Sequence, residues 1–595
     1  MPDFGIITAN QYQEQTHEPL KKGEAPEGEF HITVAMAGAI SAGAYTAGVM
    51  DFLIEALDEW EKQRCNPEVP QHRVRLVALS GASAGSVVSA VTAAHLYYNF
   101  SHGSSEQNPL YQVWVKEVDI DGLLDMNDLP KLPSDSVPSL LDSSYLTKIG
   151  YNMIGIWGER KWQAAQPESI KRRWIGEADN ASLKVVFTQN NLNGVPYWVG
   201  MNGGKYGMTL HSDHIRFVIS YDPTEINPPQ SRPDEYALNA TFVGTSQVRA
   251  DWTHFVNHGL GSAAFPGGLA HRDLERYWHD YGFRYLVAAG VEPLTGLPMA
   301  IRMKPIEWQE TRGANMDYRY LCADGGTMDN EPFELARHYL SGLAGHNERD
   351  GERASKAVIM IDPFPSDDTY HPPKGDEDVL NSLFMLLGAW KDQARFSAEN
   401  MMLAEQDDVF SRYLIQPRGS TGMELGKPGK KRQLACGGLG GFSGFFREEY
   451  RHHDFMLGRY NCQQFLREHL SVIDGNKHVK GRSTTETGQV PIIPLYGSAN
   501  DQQPAPVWPI KTIDPKTMND LARKLRVRLE LLLKRLSKKQ HAVPGFVTNL
   551  LLNWKLNDLA GFCIDTIQKD AIDAGLQTKW IEISKWQGPG GPHGI

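Results

Sequence analysis

Gly81-Ala82-Ser83-Ala84-Gly85 lies between the apolar run Val74-Arg75-Leu76-Val77-Ala78-Leu79 and the helix-like Ser86-Val87-Val88-Ser89-Ala90-Val91. Strand, sharp turn and helix in that order are the setting in which the serine of a Gly-x-Ser-x-Gly segment becomes a nucleophile. Gly81 and Gly85 leave room for a strained turn that lifts the hydroxyl clear of the backbone. The helix that follows aims its N-terminal N–H groups and the positive end of its dipole at the place where an oxyanion forms. The alternative is a purely structural turn, because such matches arise by chance in a chain rich in Gly, Ala and Ser.

A serine is a weak nucleophile without a base. The second informative segment is Tyr320-Leu321-Cys322-Ala323-Asp324-Gly325-Gly326-Thr327-Met328-Asp329-Asn330-Glu331-Pro332. An apolar strand runs into Asp324, two glycines follow, and a helix starts near Pro332, a residue favoured in the first helical turn. A carboxylate at a strand end beside two glycines can approach another backbone closely. An ordinary Asp-Gly turn accounts for the same residues. Cys322, two positions before Asp324, reads as a buried strand residue rather than a second nucleophile.

Outward from these segments, strands alternate with helices. Ile32–Met36 is the first core strand, Tyr45–Trp60 a helix, and the helix after Ser83 runs to about Tyr98. Leu183–Thr188, His214–Ile219, Tyr318–Ala323 and Ala357–Asp362 continue the strand pattern. Such alternation predicts an α/β three-layer domain with a mainly parallel central sheet over residues 30–365, after a polar arm at 1–29. Between about 101 and 180, Pro130, Pro133 and Pro138 break up short amphipathic pieces. This insertion reads either as a lid or wall over the site or as a helical excursion that pads the sheet.

Taken in order, these motifs resemble the patatin-like phospholipase family. The glycine-rich loop is Ala37-Gly38-Ala39-Ile40-Ser41-Ala42-Gly43, with Gly48-Val49-Met50 at the usual offset. Thr188-Gln189-Asn190-Asn191-Leu192-Asn193-Gly194 and Gly261-Ser262-Ala263-Ala264-Phe265-Pro266 match further segments, as do Asn330 and Pro332 after Asp-Gly-Gly. The resemblance covers roughly residues 30–365. It implies a patatin-like fold and a dyad, with Ser83 as nucleophile and Asp324 as general base, supported by Gly81, Gly85, Gly325 and Gly326. It also implies an acyl-enzyme intermediate, oxyanion stabilisation by backbone N–H groups of Gly38, Ala39 and Ile40, a lipid or phospholipid ester as substrate, and no metal or organic cofactor. The family pattern Gly-Gly-Gly-x-Arg-Gly falls on Gly38 to Gly43, so Ala42 stands at the arginine position and Ala39 and Ile40 replace two glycines. Two other readings stand beside it. One is an esterase with a Ser-His-Asp triad, which would need His338 or His452; the other is a catalytically silent, membrane-associated scaffold.

Composition narrows the classes. A net charge of −11 argues against a nucleic-acid binder. Five scattered cysteines, Cys65, Cys322, Cys436, Cys462 and Cys563, read as reduced thiols rather than a disulfide framework. The N-terminus lacks the pattern of a secretory signal, and no run of about 18 apolar residues suggests a membrane span, so the expectation is a cytoplasmic protein that meets lipid from the surface.

Residues 366–595 read as a mainly helical C-terminal region. Asp378–Gln406 has helical spacing, and residues 416–441 are basic and glycine-rich, a flexible loop rather than a phosphate cradle. Arg451-His452-His453-Asp454 reads as part of a buried Arg-Asp-Arg network rather than a metal site. In the basic helix 516–540, Met518, Leu521, Leu525, Leu529, Leu532 and Leu536 form an apolar stripe, and a second amphipathic segment runs from Val547 to Phe562. The pair reads as a hairpin docked on the catalytic domain or as a peripheral membrane contact.

Overall fold

The computed structural model describes residues 4–154, 169–178, 182–201, 204–222, 232–240, 246–365, 389, 406, 408–419, 433–481, 488–510, 514–539 and 563–582. The expected helices over most of Asp378–Gln406 and over Val547–Phe562 lie outside these residues.

The strands are β1 (Phe4–Ile7), β2 (Glu29–Met36), β3 (Arg73–Gly81), β4 (Leu183–Met201), β5 (Gly204–Ser220), β6 (Glu235–Asn239) and β7 (Arg272–Arg276). They continue with β8 (Arg284–Val291), β9 (Pro298–Met303), β10 (Tyr318–Asp324), β11 (Lys356–Ile361) and β12 (Arg412–Ile415). The helices needed below are α1 (Ala9–Thr16), α2 (Gly43–Gln63), α3 (Ala84–His95), α4 (Ser143–Met153) and α5 (Ser246–Ser262). Three more follow: α6 (Phe333–Ser341), α7 (Glu448–Glu468) and α8 (Pro515–Lys539).

In β2, Phe30, Ile32, Val34 and Met36 point to one face and His31, Thr33 and Ala35 to the other, and all are buried. Burial on both faces is what a parallel strand requires, because its crossover helices cover it above and below. The main sheet runs β12-β11-β2-β3-β4-β10-β7, with β5 and then β6 branching from β4. β12, β11, β2, β3 and β4 are parallel, whereas β10 and β5 run antiparallel to β4. The architecture is therefore α/β with a largely parallel central sheet. Helices α2, α3, α5 and α7 cover the Phe30–Met36 face, and Phe333, Ala336 and Leu340 of α6 pack on Ala35, Val77 and Val358 of the other. A side sheet orders β1, β9 and β8.

The boundary expected at 365/366 does not separate two cores. β12 extends the central sheet by pairing with β11, Val358 opposite Arg412 through Ile361 opposite Ile415. Helix α7 lies against α2 so closely that a Cβ on Gly48 would sit 1.9 Å from the Phe455 carbonyl oxygen, and one on Gly458 would sit 2.2 Å from that of Tyr45. Arg459 closes the contact by ion pairs with Asp51 and Glu55 of α2. The described residues 408–419, 433–481 and 488–500 thus complete the domain begun at residue 30, a long-range association that composition does not encode.

Helix α2 also corrects a reading of apolar runs. Ile40–Gln63 is long and apolar enough to cross a membrane, but 94% of its apolar window is buried inside the fold, so here it is the central core helix. Helix α8 docks on the insertion after α3. Met518 and Leu521 pack on Leu124, Arg528 pairs with Asp128 at 2.9 Å, Lys524 with Asp121 at 2.7 Å, and Arg535 donates to the carbonyl of Pro133 at 2.9 Å. Several of its basic side chains are thereby directed at protein.

Candidate active site

The register of β4 brings the two motif segments together. Gly81, at the tip of β3, lies opposite Phe187, and Asp324, at the tip of β10, lies opposite Gln189. β5 occupies the other edge of β4 at both positions. β3 and β10 therefore approach along one edge from opposite directions, their tips two β4 residues, or about 7 Å, apart. Gly325 fits the gap, because a Cβ there would sit 2.2 Å from the Thr188 carbonyl oxygen.

Ser83 turns the chain from β3 into α3 at φ 50 and ψ −121, a conformation costly for a non-glycine residue. The flanking glycines are fixed by close approach. A Cβ on Gly81 would meet the Gly85 carbonyl at 2.6 Å, and one on Gly85 would meet that of Met36 at 2.2 Å. Ser83 Oγ donates to Asp324 Oδ2 at 2.6 Å, with no group between them. Asp324 Oδ1 accepts from the Gly326 N–H at 2.8 Å, which orients the carboxylate, and the Asp324 N–H donates to the Ala264 carbonyl at 3.0 Å. Both side chains are almost wholly buried.

Ser262, at the end of α5, lies in the small-residue segment Gly261-Ser262-Ala263-Ala264. Its Oγ accepts from the Ser83 N–H at 3.1 Å and lies 2.7 Å from Ser86 Oγ. It ties the nucleophile's backbone to the helix whose end also holds Asp324.

The glycine-rich loop departs from expectation at its first residue. The Gly38 N–H donates to the Asn330 carbonyl at 3.3 Å and so is committed to the loop after Asp324. The N–H groups of Ala39 and Ile40 make no hydrogen bond among the described residues. Ile40 sits at φ 49, strained for a β-branched side chain. The loop is braced from the C-terminal part of the chain. Ser41 Oγ donates to the Gly441 carbonyl and accepts from the Gly444 N–H, the latter at 3.1 Å. That segment is itself pinned by Asp454, which accepts from the N–H groups of Ala435 at 2.8 Å and Cys436 at 2.9 Å. The Ser41 hydroxyl, bonded to one carbonyl and one N–H of that segment, thus holds a loop that lacks an arginine at Ala42.

An apolar cavity of about 900 Å³, mouth included, opens at Ser83. Trp114, Leu123, Leu141 and Met153 of the insertion form one wall, and Leu260 and Phe442 face them. The insertion is a wall of the site rather than padding.

No family model matches the chain. It is 33% identical over 559 residues to the uncharacterized protein y4iI of Sinorhizobium fredii (strain NBRC 101917 / NGR234), covering 85% of this chain and 76% of that one. The chain belongs to the same family as y4iI. Among solved structures, VipD from Legionella pneumophila aligns over 95% of this chain and 93% of that one, with 13% identity and a TM-score of 0.21.

The two histidines considered for a triad lie elsewhere. His452 Nδ1 is 2.8 Å from the Tyr111 hydroxyl, and His338 lines a separate cavity beneath β5. Cys322 is fully buried, and burial, reinforced by the charges of Asp213 and Asp324, pushes its thiol well above the usual range, so it is not poised as a nucleophile. Among the described residues, His, Cys, Asp and Glu side chains form no group of three or more that could hold a metal ion.

Proposed function

We propose that the protein is a patatin-like serine acyl hydrolase acting on lipid esters. The observation that carries this reading is the 2.6 Å contact between Ser83 Oγ and Asp324 Oδ2 at the mouth of an apolar cavity. Ser83 Oγ attacks the ester carbonyl while its proton passes to Asp324 Oδ2. The Ala39 and Ile40 N–H groups stabilise the oxyanion, a role in which one donor is typically worth a hundredfold or more in rate. The C–O bond to the leaving alcohol breaks, the alcohol takes the proton from Asp324, and the acyl group remains on Ser83. Asp324 then draws a proton from water, the resulting hydroxide releases the acid, and Ser83 regains its proton.

A direct carboxylate contact favours the dyad over a triad, because no imidazole stands between the two groups. The committed Gly38 N–H and the strained Ile40 favour a second reading, a silent lipid-binding scaffold. A fluorescent fluorophosphonate separates them when applied to the wild type, Ser83→Ala and Asp324→Ala, with the labelled residue located by mass spectrometry. Label on Ser83 that requires Asp324 is the expected result. A folded wild-type protein that takes no label sinks the hydrolase reading and leaves the scaffold.

A further inference from the structure

A second cavity of about 950 Å³, mouth included, lies between the β4/β5 hairpin, β8, β9, α1 and α6. It differs in kind from the one at Ser83. Arg216, Arg232 and Arg284 line it, against the carboxylates Glu18 and Asp213, and both carboxylates are already engaged. Glu18 accepts from Arg232 at 3.1 Å, and Asp213 from Arg284 at 2.6 Å.

Arg216 is the anomaly. It is 93% buried, its Nε has no hydrogen-bond partner among the described residues, and the facing Asp234 Oδ2, also without one, stays 3.6 Å away. The other Asp234 oxygen is held by Arg232 at 2.9 Å. A guanidinium offers five donors in a planar fork, and leaving such donors unmade in a buried site is costly. The His338 ring lies on the same wall. Burial, with the charges of Arg337, Arg216 and Arg232, holds His338 well below the imidazole range, and burial with four arginines does the same to His214. Tyr197, Tyr285 and Tyr339 supply walls for an organic group.

We propose that this cavity binds a phosphorylated small molecule, its phosphoryl group held by Arg216 together with Arg232 and its organic part laid against the tyrosines. Guanidinium forks match phosphate geometry, and the site is independent of the Ser83–Asp324 pair. The phosphoryl group can come from a free metabolite or from a lipid headgroup, and two probes distinguish these sources.

Calorimetric titration with glycerol 3-phosphate and inorganic phosphate reports the free form. Co-sedimentation with phosphatidylcholine vesicles, with and without phosphatidylinositol 4-phosphate, reports the headgroup. The expected result is binding of at least one probe that Arg216→Lys, which keeps the charge but loses the fork, weakens by about tenfold or more. Ser83→Ala should bind like the wild type, so a dead hydrolase leaves this test intact. Binding of neither probe up to about 10 mM overturns the proposal, as does binding indifferent to Arg216→Lys and Arg216→Gln. Should both variants fail to fold, nitrogen NMR of the wild-type histidine rings decides, because whichever probe binds must then move the His338 resonances.

Discussion

The nucleophile turn and the glycine-rich loop follow adjacent strands, β3 and β2, and meet at one site, yet they are held in opposite ways. The turn is locked by its own neighbours, since Gly81 and Gly85 touch backbone within five residues or across one strand. The loop is held by residues some 400 positions away, through Ser41 to Gly441 and Gly444. A locally locked element keeps its shape wherever the strand and helix form. A remotely braced one keeps its shape only when the whole domain has closed around α2 and α7, which makes the loop the more sensitive half of the site.

The largest effect tests the locked half. Ser83→Ala and Asp324→Ala are each expected to lower ester hydrolysis by about a thousandfold or more, and the double variant no further, because the two groups act as a unit. Steady-state rates that fall additively in the double variant would break the dyad. Gly85→Ala comes next. Its Cβ has nowhere to go against the Met36 carbonyl, so a loss of about 3 kcal/mol or more is expected in urea unfolding. A variant as stable as its parent would show that close approach does not lock the turn.

Ser41→Ala addresses the braced half. It should lower kcat by about tenfold with KM nearly unchanged, because the loop acts on the transition state, while stability falls by about 1 kcal/mol. An unchanged kcat would mean that the loop does not depend on its remote brace, and the contrast between the two regions would collapse.

An effect confined to stability and dependent on pH lies on the loop that joins the two halves. Burial and the charge of Glu334 raise the Asp329 carboxyl from 3.8 to about 6. The folded state thus binds this proton more tightly than the unfolded chain does. The resulting stabilisation is complete below about pH 4 and is lost as pH rises through 6, where a shielded charge remains. Asp329→Asn should therefore be neutral near pH 4 and stabilise by about 1–2 kcal/mol above pH 6, read as the difference between two urea curves. A gain that is the same at both pH values would show that the charge is not its source.

The strands β2, β3 and β11 and the helices after β2 and β3 were legible because burial of a parallel sheet imposes long apolar runs. Ser83 and Asp324 were legible as candidates because a sharp turn and a strand end leave local glycine signatures. The role of Ser262 was not, although its segment stood out, because a small residue at a helix end looks the same whether or not it binds a distant N–H. Arg216 was hidden for a related reason. In His214-Ile215-Arg216-Phe217 it alternates with apolar residues, as any charged residue on a strand with one solvated face would. Gly441, one half of the brace on Ser41, ends the stretch 416–441, whose composition reads as a flexible loop.

The sequence by itself determined the α/β alternation, the turn at Ser83 and the carboxylate at the end of β10, since each follows from contacts among residues close in the chain. Only the tertiary structure decided that β12 and α7 belong to the same core, that the tips of β3 and β10 meet two residues apart on β4, and that Gly38's N–H is taken by Asn330. Those outcomes depend on strand register and on backbone packing between distant segments. Side-chain periodicity constrains which face a residue takes, but it does not say which remote backbone will lie against it.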